Sequence, residues 1–560
     1  MSDGTPAPEY LEPAAGSPLP GEGRSRKRPL LLGGAAVAGV ALVGAAAWGA
    51  WWWLADGGQA AEALPASAVG YVGLSLDPSG SQKVEALSTL RSLPAIAEEL
   101  DLDGPLEDID LKQTLGTAFL GTAPCDDLTY EEHLEPWLGD RLGVAAVPVD
   151  DQPKVVLAVE TTDEDAAVEG MDALLACDDG DLGADDAEGS AYHVRDGWVV
   201  LAPDETALDA VLADLDEGTL ADDEDFQRWT GEAGEPGVLT MYAAPAAADY
   251  LQDALDGFFG DLGEPVLEGS ISDPVALTAT TTTTASTVAA TSEEPSPEEQ
   301  LEEAIEAFEG AAATVRFVDG SMELEMAGGL GDSELLAAAD AEDTGDASSL
   351  VTELPAGTVL AGATGLSPEG LEQLESGLGA DADDMVEGLL GPLELDPVAL
   401  LGDAVGLAVG PGLDVEGLVA GTTTELPVAL LTTGELAAAQ DVAEGLGFGL
   451  AAFLGVEPVV VGEDGRVVLG LDEAWAEEVA AADGSLGEDE RFQHAVPDAD
   501  DVDGLLFLDA DALVDLVRGS MPEGEDDEVL DNLEPLQALG LSASTEDGTS
   551  RLVLRVTTDD

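Results

Sequence analysis

Basic residues are scarce in this chain of 560 residues, which has 17 lysines and arginines against 118 aspartates and glutamates. The formal net charge of −101 repels phosphate backbones, so the composition argues against nucleic-acid binding. Apolar residues nevertheless make up 45% of the chain. That fraction is enough for real hydrophobic cores, and the length allows several domains.

Histidine is scarcer still, with only three in the chain: His133, His193 and His494. Their spacing matches no metal-binding motif, and no H-E-x-x-H is present. We expect His193 to be a half-exposed strand residue and His494 to be a surface group. The motifs of serine hydrolases and of P-loop NTPases are missing too. Nucleophilic hydrolysis and phosphoryl transfer therefore lack their machinery.

Two other catalytic signals carry little information. The run Gly445-Leu446-Gly447-Phe448-Gly449 departs from the dinucleotide-binding pattern G-x-G-x-x-G at Leu450, and it follows a predicted helix rather than a strand. Paired carboxylates, which glycoside hydrolysis needs, occur everywhere in so acidic a chain. The sequence therefore predicts no catalytic residue and no cofactor, and we expect a protein that is not an enzyme.

A stretch without any charge covers residues 29–55 and consists mostly of Leu, Ala, Val, Gly and Trp. About 20 apolar residues span a bilayer, so the stretch predicts a single transmembrane helix. Four basic residues lie directly before it: Arg24, Arg26, Lys27 and Arg28. The positive-inside rule then places the N-terminus in the cytoplasm and the bulk of the chain outside the cell membrane. A cleaved signal peptide is the alternative, because Ala61-Glu62-Ala63 matches a cleavage site.

Residues 1–28 are rich in Pro, Gly and Ser, which predicts a disordered cytoplasmic tail. Its four acids balance its four basic residues, so the whole net charge of −101 lies beyond it. Two interpretations of this charge compete: adaptation to a salty or cation-rich exterior, and capture of cations or of a basic partner. The acids are spread along the whole chain, which favours adaptation.

The rest of the chain matches itself in six places that occur in the same order. Leu138-Gly139-Asp140 recurs as Leu401-Gly402-Asp403, and Phe226-Gln227 recurs as Phe492-Gln493. The offset between matches drifts, which indicates two copies with different insertions. We predict copy one, a linker and copy two at residues 62–328, 329–351 and 352–558.

Strand and helix periods alternate within each copy. Asp196-Gly197 and Asp319-Gly320 are typical of tight hairpin turns, and hairpins joined by helices indicate an α+β fold. We therefore predict a single N-terminal transmembrane helix followed by two tandem homologous domains, each a mostly antiparallel sheet with helices on one face. The Thr-rich residues 278–292 in copy one predict an exposed loop, either bare or O-glycosylated.

One acidic stretch has the spacing of a calcium loop. Gly104 stands at the sixth position, and the acids at the ligand positions of the motif are Glu99, Asp101, Asp103, Glu107 and Asp110. This spacing suits a cation that needs roughly six to eight oxygen ligands around a sharp turn. The stretch departs from the motif by a glutamate at its first position and by an aspartate where a longer, bidentate glutamate belongs.

Cys125 and Cys177 are the only cysteines. An even pair in an oxidising exterior most often forms a disulfide, so we predict this bond. Closing a loop of about 50 residues stabilises a fold by about 4 kcal/mol in the chain-entropy model.

Most of the chain beyond residue 55 resembles a known family. The likeness is carried by the basic cluster, the Trp-rich end of the uncharged stretch, Gln82-Lys83, the repeated Phe-Gln element, and the run Ala63-Leu-Pro-Ala-Ser-Ala-Val-Gly-Tyr71-Val-Gly-Leu-Ser-Leu-Asp77. These features resemble an uncharacterised domain-of-unknown-function family of actinobacterial membrane-anchored proteins. The resemblance implies no activity, substrate or cofactor.

We expect a non-enzymatic, membrane-anchored, extracytoplasmic binding or scaffolding protein of the cell envelope, attached through residues 29–55. Its two copies would form a shared cleft for an unknown envelope protein or ligand. An acidic surface protein that binds cations such as calcium, or that is adapted to salt, is one alternative. A hydrolase of unfamiliar type is the other, and it would need a pocket with convergent polar groups.

Overall fold

One antiparallel sheet of 16 strands runs through the part of the chain that the computed structural model describes. All described residues lie in Ala35–Asp560, one of two units into which the chain divides. They are residues 60–75, 81–92, 94, 97, 111–122, 128–150, 152–177, 190–250, 305, 307–329, 346–367, 397–413, 426–453, 456–481, 484–520, 533–546 and 548–558.

The strands fall into two sets of eight, which we call half one and half two. Half one contributes β1 to β8, which are Gly70–Ser75, Leu138–Val149, Gln152–Thr161, Ala191–Arg195, Trp198–Ala202, Leu239–Ala243, Gly310–Val318 and Ser321–Gly329. Half two contributes β9 to β16, which are Leu360–Gly365, Ala404–Val409, Leu426–Thr432, Val459–Glu463, Arg466–Leu471, Gly504–Asp509, Leu536–Glu546 and Thr549–Thr558.

Both halves have the same strand order. From its outer edge to the centre, half one runs β4-β5-β3-β2-β1-β6-β7-β8, and half two runs β12-β13-β11-β10-β9-β14-β15-β16. At the centre, β8 and β16 pair antiparallel, from Ser550 opposite Gly328 to Thr557 opposite Ser321. We call this β8–β16 pairing the seam. The prediction of two tandem domains, each with its own sheet, was wrong, because the seam joins both sets of strands into one sheet.

Twelve α-helices lie in the described part of the chain. In order, α1 to α6 are Ser81–Ser92, Leu111–Thr122, Tyr130–His133, Glu164–Cys177, Glu205–Leu215 and Glu224–Glu232. The second set, α7 to α12, comprises Ala347–Thr352, Pro397–Leu401, Leu436–Phe453, Glu473–Ala481, Glu490–Ala495 and Ala510–Ser520. Helix α7 begins within the predicted linker 329–351 and packs against β9 and β10.

Helices pack on both faces of the sheet. Neighbouring residues of a strand point to opposite faces, and in β3 Val156 lies in one core while Val159 lies in another. Helices α5 and α6 bury Val211 and Trp229 in the first of these cores. Helix α4 buries Met171 in the second. The prediction of helices on one face was therefore wrong.

The two Asp-Gly hairpins were predicted correctly. Asp196 and Gly197, between β4 and β5, have φ values of 52° and 82°. Asp319 and Gly320, between β7 and β8, have φ values of 51° and 76°. Positive φ at both central residues is the type I′ geometry that matches the twist of paired strands.

Among the described residues, none of the helices has the length and apolar character needed to cross a membrane. The transmembrane helix in the predicted fold is therefore not seen in this part of the chain, and residues 29–55 fall outside the described ranges. The predicted tail 1–28 and the Thr-rich residues 278–292 also fall outside them.

Candidate functional site

The predicted metal and disulfide residues lie largely outside the described ranges. This applies to Cys125 and to the whole calcium-loop candidate, Glu99, Asp101, Asp103, Glu107 and Asp110. Cys177 is the last residue of α4. Within the described ranges, no group of three or more His, Cys, Asp or Glu side chains is placed to hold a metal ion. The calcium loop and the disulfide stay predictions.

The three histidines lie on separate elements. His133 is in α3, where its Nδ1 is 3.1 Å from the carbonyl oxygen of Thr129. His193 is exposed on β4, the outermost strand of half one, and His494 is exposed in α11. The glycine-rich residues 445–449 lie inside α9 rather than in a loop between a strand and a helix. None of these features forms a nucleotide site or a nucleophile–base pair.

The repeated Phe-Gln motif has the same structural role in both halves. Phe226 in α6 and Phe492 in α11 are buried in the cores of their halves. The side-chain amides of Gln227 and Gln493 each donate a hydrogen bond to the carbonyl oxygen six residues earlier, at 2.8 and 2.9 Å. The motif therefore fixes a helix over each core.

The repeated Leu-Gly-Asp motif also has a structural role. A Cβ at Gly139 would lie 2.6 Å from Cγ of Glu160, and a Cβ at Gly402 would lie 2.4 Å from Oγ1 of Thr433. The backbone N–H of Asp403 donates a hydrogen bond of 2.9 Å to the same Thr433 oxygen. Glycine is needed at Gly139 because β3 lies too close for a side chain, and at Gly402 because the turn before β10 has a φ of 71° and lies against Thr433.

The described part of the chain has three buried charged residues, and two of them lie at the seam. Glu323 and Glu325, both on β8, have 3% and 7% of their surface exposed. Three arginines surround them: Arg316 on β7, and Arg551 and Arg555 on β16. We call these five residues, together with Glu232 of α6, the seam cluster.

Glu323 bridges the two halves. Arg555 donates a hydrogen bond of 2.7 Å from Nε to Oε2 of Glu323 and a second one from Nη2. Arg316, which lies opposite Glu323 in the β7–β8 register, contacts its other carboxylate oxygen. The carboxylate therefore sits between one arginine of half one and one arginine of half two.

Glu325 makes a second bridge. It contacts Arg316, and its Oε1 is 3.3 Å from Nε of Arg551. Arg551 also reaches α6, where its Nη2 lies 3.2 Å from Oε2 of Glu232. Three arginines thus meet three glutamates, and the cluster is formally neutral.

The ends of two helices add carbonyl oxygens to the cluster. The carbonyl of Glu232, at the end of α6, accepts a hydrogen bond of 3.0 Å from Arg551. The carbonyl of His494, near the end of α11, accepts one of 3.3 Å from Arg555. Carbonyl groups at a helix C-terminus carry partial negative charge and favour cations. Each half therefore contributes one helix end that binds an arginine of β16.

Arg316 remains charged in this setting. Burial by itself lowers the pKa of Arg316, but its hydrogen bond to Glu325 and the charges of Glu323 and Glu325 outweigh burial and raise the pKa above its ordinary value. Because each arginine has a glutamate partner, the arrangement suits the joining of strands rather than proton transfer. Removing one partner would leave a buried unpaired charge, at a cost of about 3 to 5 kcal/mol.

Sequence reasoning missed the seam cluster, although a signal was present. Glu323 and Glu325 are two residues apart and Arg551 and Arg555 are four apart, so each pair lies on one face of its strand. Both strands follow an Asp-Gly turn signal. What the sequence does not show is that the last strands of the two copies are neighbours.

Comparison with known proteins identifies a family but no function. A family model described as a protein of unknown function (DUF3352) matches residues 35–389, more than half of the chain. The match includes all strands of half one and β9 of half two. Curated proteins gave no match, and solved structures gave none.

Proposed function

The chain belongs to the DUF3352 family of proteins of unknown function, and we propose that it is a non-enzymatic binding or scaffolding protein of the cell envelope. The seam cluster is the observation that carries this proposal. It joins two halves of the same strand order into one continuous sheet. The buried glutamates Glu323 and Glu325 and their arginine partners thus hold the strands of the two halves together.

The size of the sheet is consistent with a scaffold that holds other molecules on its surface. Strands in a sheet are about 4.8 Å apart, so 16 strands extend for about 70 Å along the hydrogen-bonding direction. Because both halves have the same strand order, similar surfaces recur at a fixed separation along this sheet. A partner with two binding elements would gain affinity from engaging both surfaces at once.

An extracytoplasmic location is part of the proposal. The four basic residues that precede residue 29 support it, since they favour a cytoplasmic N-terminus. Protease added to intact cells should then degrade the part of the chain that forms the sheet. Full protection of that part in intact cells, with degradation after lysis, would contradict this location.

Photo-crosslinking in cells tests the binding function. A crosslinking amino acid is placed at an exposed apolar position in each half, at Val155 on β3, which is 64% exposed, and at Leu506 on β14, which is 43% exposed. We expect discrete crosslinked products from each position. A chain that carries both crosslinkers should also yield a product with both halves occupied.

A matched control separates binding by the whole sheet from binding by single halves. Glu323→Arg places a positive charge between Arg316 and Arg555, which breaks the seam without altering either crosslinking position. We expect this change to reduce the doubly occupied product. Absence of crosslinks at both positions in the unchanged chain would contradict the proposal, as would release of a defined product from envelope material by the purified protein.

A second candidate function, a salt-adapted or cation-binding acidic surface, is favoured by the surplus of 118 acids over 17 basic residues. Screening of that surplus does not require a specific site. Calorimetric titration with calcium at fixed ionic strength distinguishes a cation-binding surface from a salt-adapted one. Specific cation sites give saturable heat, whereas screening gives none.

A further inference from the structure

The seam strands occupy an unusual position in the sheet. Each is the last strand of its half, and without the seam each would be an open edge with a row of unpaired backbone groups. Open edges pair with any strand that fits, including the same strand of a second chain. Since both halves have the same strand order, β8 of one chain could also meet β8 of another, and β16 could meet β16.

The charges of the seam cluster discriminate between these pairings. A β8–β8 pairing would bring Glu323 and Glu325 of two chains together in a buried layer. A β16–β16 pairing would do the same with Arg551 and Arg555. Like charges on facing strands destabilise a sheet, and burial without an opposite partner adds a desolvation cost. Only the pairing of β8 with β16 matches every arginine with a carboxylate.

We propose that the charge pattern of β8 and β16 determines which strands form the seam, so that the acidic edge of half one selects the basic edge of half two. The partner that each edge fits is therefore the opposite half, in the same chain or in a second copy. This selection is independent of what the assembled protein binds.

Charge reversal tests the proposal in the full chain. The reversed-β8 chain carries Arg316→Glu, Glu323→Arg and Glu325→Arg, which keeps β7 and β8 complementary but gives β8 the same sign as β16. The reversed-β16 chain carries Arg551→Glu and Arg555→Glu. In each of these chains both edges have the same sign. The doubly reversed chain carries all five substitutions and regains complementary edges.

A disulfide reporter shows which edges meet. Leu324 and Leu554 are paired across the seam, so Leu324→Cys with Leu554→Cys forms a crosslink when β8 and β16 meet. The native Cys125 and Cys177 are replaced by serine in every reporter chain. Non-reducing gels then separate a crosslink within one chain from a crosslink between two chains that carry different tags.

We expect the crosslink within one chain in the unchanged and doubly reversed proteins, and a loss of roughly tenfold in either singly reversed chain. Coexpression of the two singly reversed chains should restore it between chains, because the basic β8 of one then meets the acidic β16 of the other. The doubly reversed chain should recover most of the yield, because its edges are complementary again. Recovery should not be complete, because Glu232 and the helix-end carbonyls at the cluster lose their arginine partners.

Two results would overturn the proposal. One is an undiminished crosslink within the singly reversed chains, which would show that the charges do not select the edge. The other is a coexpressed pair that gives no more crosslink between different chains than each chain gives alone. The coexpressed pair and the doubly reversed chain keep the test decisive if the singly reversed chains fold poorly, because failure of both to recover the crosslink also contradicts selection by charge.

Discussion

Arg555 on β16 donates two hydrogen bonds to Glu323 on β8, and the two residues lie directly opposite each other in the register of the seam. They are 232 positions apart in the sequence. A contact of this separation forms only after a long segment of chain is closed, which costs conformational entropy. The ion pair therefore stabilises the joining of two halves rather than the folding of either.

Replacing Glu323 by glutamine should destabilise the protein strongly. Arg316 and Arg555 would lose a buried carboxylate, and we expect the free energy of unfolding to fall by about 3 kcal/mol. The control is Glu309→Gln, since Glu309 lies 3.7 Å from Arg228 and both side chains are about half exposed. That change should cost less than about 1 kcal/mol. Urea unfolding measures both, and equal losses would contradict a special role for Glu323.

The repeated Phe-Gln motif should respond alike in the two halves. Gln227→Ala and Gln493→Ala each remove one hydrogen bond to a backbone carbonyl, so each should lower the free energy of unfolding by about 1 kcal/mol. Phe492→Ala should cost about 4 kcal/mol, because it leaves a cavity in a buried core. Gln152→Ala, at an exposed position on β3, is the control. A loss in only one half would show that the motif has different roles.

Local features of the fold could be predicted from the sequence, and distant ones could not. The turns at Asp196-Gly197 and Asp319-Gly320 depend on a few adjacent residues, and both were predicted correctly. The seam depends on the contact between Glu323 and Arg555, which no local pattern contains. Two copies suggested two separate sheets. In the structure, the last strand of half one, β8, pairs with the last strand of half two, β16, so the two copies share one sheet.

The sequence of β3 contains a signal for helices on both faces of the sheet. The inner part of β3 reads Val156-Leu157-Ala158-Val159, a continuous apolar run rather than an alternating one, and all four residues are buried or half-buried. Such runs are typical of strands that are buried on both faces. The arrangement of helices in half one could therefore have been predicted from β3, even though the order of strands in the sheet could not.

Two glycines with positive φ, Gly197 and Gly402, should differ in their tolerance of alanine. Gly197 has a φ of 82°, and a Cβ added there would have no atom within 4 Å, so Gly197→Ala should cost about 1 kcal/mol from backbone strain alone. Gly402 has a similar φ of 71°, but its Cβ would lie 2.4 Å from Oγ1 of Thr433. Gly402→Ala should therefore cost about 3 kcal/mol or more. Thermal unfolding measures both, and equal losses would show that Thr433 can move aside.

Added salt should stabilise the protein. With a net charge of −101, the folded chain repels itself, and ions screen this repulsion. We expect the melting temperature to rise steadily between low and high NaCl concentrations. Magnesium chloride at the same ionic strength is the control, because an extra rise with the divalent ion would indicate bound cations rather than screening. A melting temperature that does not change with NaCl would contradict the screening argument.

Glu160 should make the protein sensitive to acid. Arg141 donates to it from Nε at 3.0 Å and contacts it again through Nη2, and the backbone N–H of Asp140 donates at 3.0 Å. The hydrogen bond from Arg141 lowers the pKa of Glu160 most; burial opposes it, and the N–H of Asp140 lowers the pKa further. As the pH falls, the unfolded chain therefore takes up this proton before the folded chain does.

The stabilisation from Glu160 is complete above the ordinary glutamate pKa of about 4.3 and is lost as the pH falls through the lower folded value. At pH 7, Glu160→Gln should lower the free energy of unfolding by about 1 kcal/mol, since the pair is partly exposed. This difference should shrink as the pH falls below about 4.3. Unfolding is measured in dilute solution, because the isoelectric point is near 4.1. Glu217→Gln, at an exposed glutamate of half one, controls for the loss of one charge. A difference for Glu160→Gln that stays constant from neutral to acid pH would contradict the assignment.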